Sequence, residues 1–308
     1  MLQRLRAAVS RAPVRPLQPV PLTVAPLPPE PAAKKPKICG GTYTPVEPRA
    51  LGRTYCQEGF VALTGAFSQE DIASMRKAAA AAFSHNATPP FPAGSLSETI
   101  LFEPAFRPIF ENEKLIGALR TLFGNDFVFV NEIGIQDSCF GGWHTDTSSA
   151  EGKGGHTFLW SPRFMTANVA IYLQDNGPCG GGLDIIPGSY TRNDPLAKSI
   201  RRDKGMNVEE FGPDEVDPYR DGLTITTKAG DALIFHMRTR HRASPAVQLP
   251  STAEERKLAM FLIAGPNNDE TRQYRAWLDE YDVISNTKRP IVPEQCRAFL
   301  SSRGLSMI

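Results

Sequence analysis

From Phe127 to Ile263 the chain alternates short apolar runs with clusters of Gly, Pro and Asp, and this alternation restricts it to a mainly β architecture. Phe127 to Val130, Asn168 to Leu173, Gly222 to Thr226, Ala232 to Phe235 and Leu258 to Ile263 are rich in β-branched and aromatic residues. They are too short for helices and are bounded by turn formers, the signature of buried strands. The pattern predicts an all-β core of the jelly-roll type with flanking helices.

Folded sequence is expected to begin near Tyr55, with a buried strand at Gly59–Leu63. Ser68 then stands as an N-cap, with Glu70 and Asp71 in the first turn of a helix. Residues 86–97 form a Pro- and Ser-containing loop. Asn112 caps a second helix that stops at Gly124. Residues 191–221, polar and mixed in charge, form an insertion. Helices return around Thr271–Tyr281 and Pro293–Ser302, and there is no internal repeat.

The first 38 residues differ from the rest. They hold nine of the 27 prolines, seven Lys or Arg and one acid, Glu30. Such a segment supports neither helix nor ladder, so residues 1–38 are predicted to be a disordered basic extension and residues 39–308 a single catalytic domain. Arg4, Arg6, Arg11 and Arg15 among small residues fit an organelle transit peptide; a basic extension with no targeting role fits equally. The net charge of +1 gives no strong pull on nucleic acid. No apolar stretch is long enough for a membrane span. Five cysteines with no Cys-x-x-Cys pair argue against a disulfide framework or structural zinc. A reducing intracellular compartment follows: the cytoplasm, or the mitochondrion or plastid if the extension is a transit peptide.

The chemistry begins at Gly141-Gly142-Trp143-His144-Thr145-Asp146. On a strand, residues two apart share a face, so His144 and Asp146 can aim an imidazole and a carboxylate at one point. A third ligand would complete one face of an octahedron around Fe(II), leaving the other open to a bidentate 2-oxo acid and dioxygen. A lone His-x-Asp is a chance-level signal. Downstream, however, a strong strand ends in two histidines, His236 and His241. Arg256 then opens the next apolar strand, where a guanidinium can hold the far carboxylate of 2-oxoglutarate.

These segments together resemble the phytanoyl-CoA dioxygenase family of Fe(II)/2-oxoglutarate-dependent oxygenases, over roughly residues 55 to 265. The resemblance runs through Tyr55-Cys56-Gln57-Glu58-Gly59-Phe60-Val61, Trp143 to Asp146, and Ala170 to Asp175. It is most specific at Gly181-Gly182-Leu183-Asp184-Ile185-Ile186-Pro187-Gly188-Ser189-Tyr190. It implies a double-stranded β-helix and a small-molecule hydroxylase that releases succinate and CO2. It also implies that His241, not His236, joins His144 and Asp146 on the metal. Halogenases similar to this family carry Gly or Ala in place of the carboxylate, so Asp146 implies hydroxylation or another oxidation rather than halogenation. Two departures concern the cosubstrate. The Ser usual two residues after the distal His is Ala243 here, with Ser244 following. The anchoring Arg usual about eleven residues after it is Thr252, which leaves Arg256 across a longer loop and Lys257 as the alternative. Asn131 and Ser244 are the further candidate 2-oxoglutarate contacts.

Other residues carry plainer readings. Trp143 and Trp160 are expected in the core, and His85 and His156 in solvated loops, His156 on a flap spanning Glu151–Thr157. Lys198, Arg201, Arg202 and Lys204 either bind an anionic substrate or form a solvated helix face. The rival functions are a barrel that binds without turnover and a cupin-like metal enzyme that is not an oxygenase.

Overall fold

The computed structural model describes residues 37–45, 50–85, 95–96, 103–138, 140–147, 157–190, 219–285 and 291–308. In chain order these form β1 (Gly41–Tyr43), α1 (Leu51–Glu58), β2 (Phe60–Leu63), α2 (Gln69–His85), β3 (Ser95–Leu96), α3 (Pro108–Glu111), α4 (Glu113–Phe123) and β4 (Val128–Asp137). They continue as β5 (Ala167–Tyr172), β6 (Leu183–Ile185), β7 (Leu223–Ile225), β8 (Ala232–His236), β9 (His241–Ala243), β10 (Leu258–Gly265), α5 (Asp269–Ser285) and α6 (Glu294–Ser302).

The strands make two facing sheets, one of six in the order β2-β8-β5-β10-β4-β3 and one of four in the order β1-β7-β6-β9. This is the jelly roll expected from the strand pattern. Period-two alternation sorts the side chains. On β10, Leu258, Met260, Leu262 and Ala264 face the helices, while Ala259, Phe261 and Ile263 face the space between the sheets. On β5, Val169 and Ile171 go to the helices and Asn168 and Tyr172 go inward. With both faces of the large sheet covered, its strands appear in sequence as unbroken apolar runs.

Tyr55, Met75, Leu119 and Leu300, from α1, α2, α4 and α6, cover the outer face of that sheet. The helix starts follow the sequence chemistry. Asp71 N–H donates to Ser68 Oγ while Ser68 N–H donates back to Asp71 Oδ2, both at 3.1 Å. Leu115 N–H donates to Asn112 Oδ1 at 2.8 Å. At the entry to β8, Gly230 has φ 96°, and a Cβ there would lie 2.6 Å from Phe67 O. Only glycine fits that turn.

Three features depart from the sequence reading. The fold begins before Tyr55, because β1 pairs parallel with β7 and α1 starts at Leu51. β4 runs to Asp137, well beyond its apolar run, because Glu132, Gly134 and Gln136 point into a cavity rather than a core. β6 and β9 are only three residues each, too short for periodicity to register.

The described residues cluster as one compact unit that starts at residue 36. Apart from Lys37 and Ile38, the basic extension lies outside the described residues. So do residues 191–218 with the Lys198–Lys204 cluster, His156, and all of the expected flap except Thr157. Among the described residues no helix is long and apolar enough to cross a membrane.

Candidate metal centre and cavity

His144 and His241 are brought together by the backbone before any side chain is considered. His144 N–H donates to His241 O and His241 N–H donates to His144 O, both at 2.9 Å. Two residues on, Asp146 N–H donates to Met237 O at 2.9 Å. The His-x-Asp segment is therefore not a regular strand, as its spacing suggested, but a bridge and turn clamped onto the β8–β9 connection. The clamp, not the strand pleat, sets the convergence. One ligand atom from each of His144, Asp146 and His241 lies within 4.8 Å of the others.

The hydrogen bonds select the tautomers. His144 Nδ1 lies 2.6 Å from Gly142 O, and His241 Nδ1 lies 2.9 Å from Thr239 O. A carbonyl only accepts, so each Nδ1 carries a proton, and in the neutral ring each Nε2 presents a lone pair. Those lone pairs face Asp146 Oδ1 at 3.7 Å from His144 and 3.5 Å from His241. Burial pushes the His241 pKa down to about 4, against the opposing pull of Asp146, so the ring is neutral at neutral pH. The His241–Asp146 contact is thus not a salt bridge. Three possible ligand atoms converge at one point, an arrangement that suits a cation.

Asn168 Nδ2 donates to Asp146 Oδ2 at 3.1 Å. The carboxylate accepts only, which fixes the amide orientation. Sequence reasoning took Asn168 as an ordinary strand residue; a polar residue within Asn168-Val169-Ala170-Ile171 was the signal available. Asn168→Ala is expected to weaken metal affinity about 10- to 100-fold, the usual cost of losing such a support, as measured by Fe(II) or Co(II) titration. Unchanged affinity would remove Asn168 from this role.

His236 does not join the centre. Its Nε2 lies 2.8 Å from Phe164 O, and its Nδ1 accepts from Arg238 N–H at 3.1 Å. Burial, reinforced by Arg238, holds its pKa at about 3. Trp143 packs under the Arg242 guanidinium at 5.0 Å, and Trp160 under that of Arg238 at 4.6 Å.

The triad lines a cavity of about 390 Å³ together with Glu132, Gln136, Tyr172, Phe261 and Lys257, among others. None of the three cosubstrate contacts expected from sequence lines it; in each case a neighbouring residue does. Arg256 has the parity of Leu258 and points outward, where its Nε lies 2.7 Å from Asp137 Oδ1. Its neighbour Lys257, buried, enters the cavity instead. Ser244 lies outside as well. Its Oγ donates to Asp184 Oδ1 at 2.8 Å, beside the Arg242–Asp184 pair, also 2.8 Å, while Ala243 lines the cavity. Asn131 sits in a bulge of β4, where its N–H donates to Ile308 O at 2.8 Å, and Glu132 is the residue that lines the cavity.

The Lys257 end combines a buried cation with a phenol. Burial pushes the Tyr172 phenol pKa well above its ordinary value, keeping the O–H protonated. That hydroxyl is buried with no hydrogen-bond partner among the described residues. Lys257 passes closely over the glycine-rich turn: a Cβ on Gly181, whose φ is 89°, would lie 2.8 Å from Lys257 Cβ. The Gly-rich block is therefore required for the lysine to reach its position.

Comparison with known proteins gives a consistent picture. Residues 55–247 match the phytanoyl-CoA dioxygenase family. An ectoine dioxygenase of Streptomyces coelicolor is 27% identical over 165 residues, 48% of this chain and 52% of that protein. One from Sphingopyxis alaskensis is 24% identical over 220 residues, 60% of this chain and 66% of that protein. The chain thus spans about half the length of the first of these curated relatives. Among solved structures, HygX from Streptomyces hygroscopicus, with nickel and 2-oxoglutarate bound, aligns with a TM-score of 0.53 at 17% identity, covering 71% of this chain and 87% of that one. EctD from S. alaskensis with bound Fe aligns with a TM-score of 0.51 at 17% identity, covering 75% and 82%. At these identities the structural likeness establishes the fold.

Proposed function

The chain belongs to the phytanoyl-CoA dioxygenase family, and from that premise we propose that it is an Fe(II)- and 2-oxoglutarate-dependent dioxygenase that hydroxylates a C–H bond of a small molecule. The observation that carries this reading is the convergence of three acceptors, His144 Nε2, His241 Nε2 and one Asp146 oxygen, on the wall of a cavity whose far end presents Lys257. His144, Asp146 and His241 hold the iron. Lys257 and the Tyr172 hydroxyl hold the distal carboxylate of 2-oxoglutarate, as cation and hydrogen-bond donor. The chemistry that Fe(II) supplies when bound is activation of dioxygen, coupled to decarboxylation of 2-oxoglutarate to succinate. Asn168 keeps Asp146 oriented, and Met237, Phe261 and Ile263 give the cavity an apolar wall that limits water. Retention of the Asp146 carboxylate supports hydroxylation over halogenation.

Adding Fe(II) and 2-oxoglutarate anaerobically is expected to give a visible charge-transfer band, and adding oxygen with substrate to give succinate. A protein that shows neither is a binding module or a non-oxygenase barrel. Ectoine belongs in the substrate panel because the curated relatives carry that name.

A further inference from the structure

The cavity has two chemically opposite ends, and the sheet register separates them. Gln136 and Tyr172 both pair with Ala259, two residues from Lys257. Asn168 pairs with Ile263, and the β4 bulge that begins after Val130, the other partner of Ile263, places Glu132 on that side. From Lys257 to Ile263 is six residues of strand, roughly 20 Å. Outside the triad, Glu132 and Lys257 are the charged residues among the described lining. The cation therefore lies at one end and the carboxylate at the other, beside the Asn168 that supports Asp146.

Two further observations describe the acceptors at the Glu132 end. Tyr274 O–H donates to Glu132 Oε2, which holds the carboxylate from the α5 side. Asn168 is buried, and because its Nδ2 must face Asp146, its Oδ1 is turned elsewhere; it has no hydrogen-bond partner among the described residues. A carboxylate on the cavity wall beside the metal ligands favours a cation and repels an anion. Arg238, the buried cation of the β8–β9 connection, packs over Trp160 and is not among the lining residues.

We propose that Glu132 is a specificity-determining residue that binds a protonated nitrogen of the substrate, so that the enzyme acts on small ammonium or amidinium compounds. This rests on the dioxygenase reading above, with Lys257 holding the cosubstrate at the opposite end. The register then leaves the Glu132 end to the substrate, and acyl-CoA esters, phosphonates and other anions are disfavoured there.

The test uses the full chain loaded with Fe(II), with succinate release as the readout. The panel pairs small primary amines and amidines with their neutral N-acylated analogues and with carboxylate or phosphate analogues. Cationic members are expected to drive turnover. Glu132→Gln is expected to raise KM for a cationic substrate about 10- to 100-fold relative to its neutral analogue, the worth of a hydrogen bond to a charged group. Taking that ratio within one preparation cancels any loss of folded protein, and Glu132→Asp should restore part of the preference. An intact Fe(II)–2-oxoglutarate band with turnover driven by anionic or neutral members, or an unchanged ratio in Glu132→Gln, overturns this inference alone. Absence of the band in the wild type overturns the dioxygenase reading, and this inference with it.

Discussion

Replacing Asp146 with alanine is expected to lower substrate-dependent succinate release by about three orders of magnitude, the several kcal/mol of a catalytic metal ion at about 1.4 kcal/mol per tenfold. The loss follows from the geometry. Asp146 Oδ1 is the atom that both Nε2 lone pairs face, at 3.7 and 3.5 Å. It is also the only formal negative charge in the triad, so its removal leaves two neutral imidazoles to hold a divalent cation. Fe(II) titration should show the loss directly, and the charge-transfer band should disappear with it. Thermal unfolding of the metal-free protein should show a far smaller loss, that of the Asn168 hydrogen bond to Asp146 Oδ2. Turnover near the wild-type rate in Asp146→Ala would sink the assignment of the metal centre.

The candidate metal centre was more legible in the sequence than the proposed cosubstrate pocket, and the reason is which of two neighbouring residues faces the cavity. His144, Asp146 and His241 are polar residues held by backbone clamps, and their order along the chain matches a known family. The β10 run Leu258-Ala259-Met260-Phe261-Leu262-Ile263 is apolar on both faces, so nothing in it says which of Arg256 and Lys257 points inward. At the other two expected contacts, Ser244 and Asn131, the residues that line the cavity are likewise their neighbours, Ala243 and Glu132. A slip of one position exchanges the faces of a strand, so each expectation landed beside a residue that lines the cavity. The strands themselves were readable because they are bounded by turn chemistry. β6 and β9 escaped because three residues cannot display a period. The His-x-Asp convergence was read correctly for a different reason: pleat geometry suggested it, but pairing with residues 237–241 produces it.

The choice between Lys257 and Arg256 separates cleanly by experiment. Lys257→Met is expected to raise KM and Kd for 2-oxoglutarate about 100- to 1,000-fold, within the 2–5 kcal/mol cost of removing one partner of a desolvated charge pair. Methionine keeps most of the volume over Gly181, so the change removes charge rather than packing. Fe(II) affinity without cosubstrate should change little, since Lys257 is not one of the triad. Tyr172→Phe should give a smaller loss in the same direction, because one neutral donor is removed. Arg256→Gln, by contrast, removes a half-exposed guanidinium that pairs with Asp137, worth about 0–1 kcal/mol, and donates to Ser138 Oγ outside the cavity. Its KM for 2-oxoglutarate should stay within about twofold of wild type, less than 0.5 kcal/mol. The reverse outcome, with Arg256→Gln losing the cosubstrate and Lys257→Met keeping it, would return the anchor to Arg256 and require β10 to shift its register by one residue. That shift would also expose the Leu258, Met260 and Leu262 face to the cavity, so it would appear as a loss of stability as well as of binding.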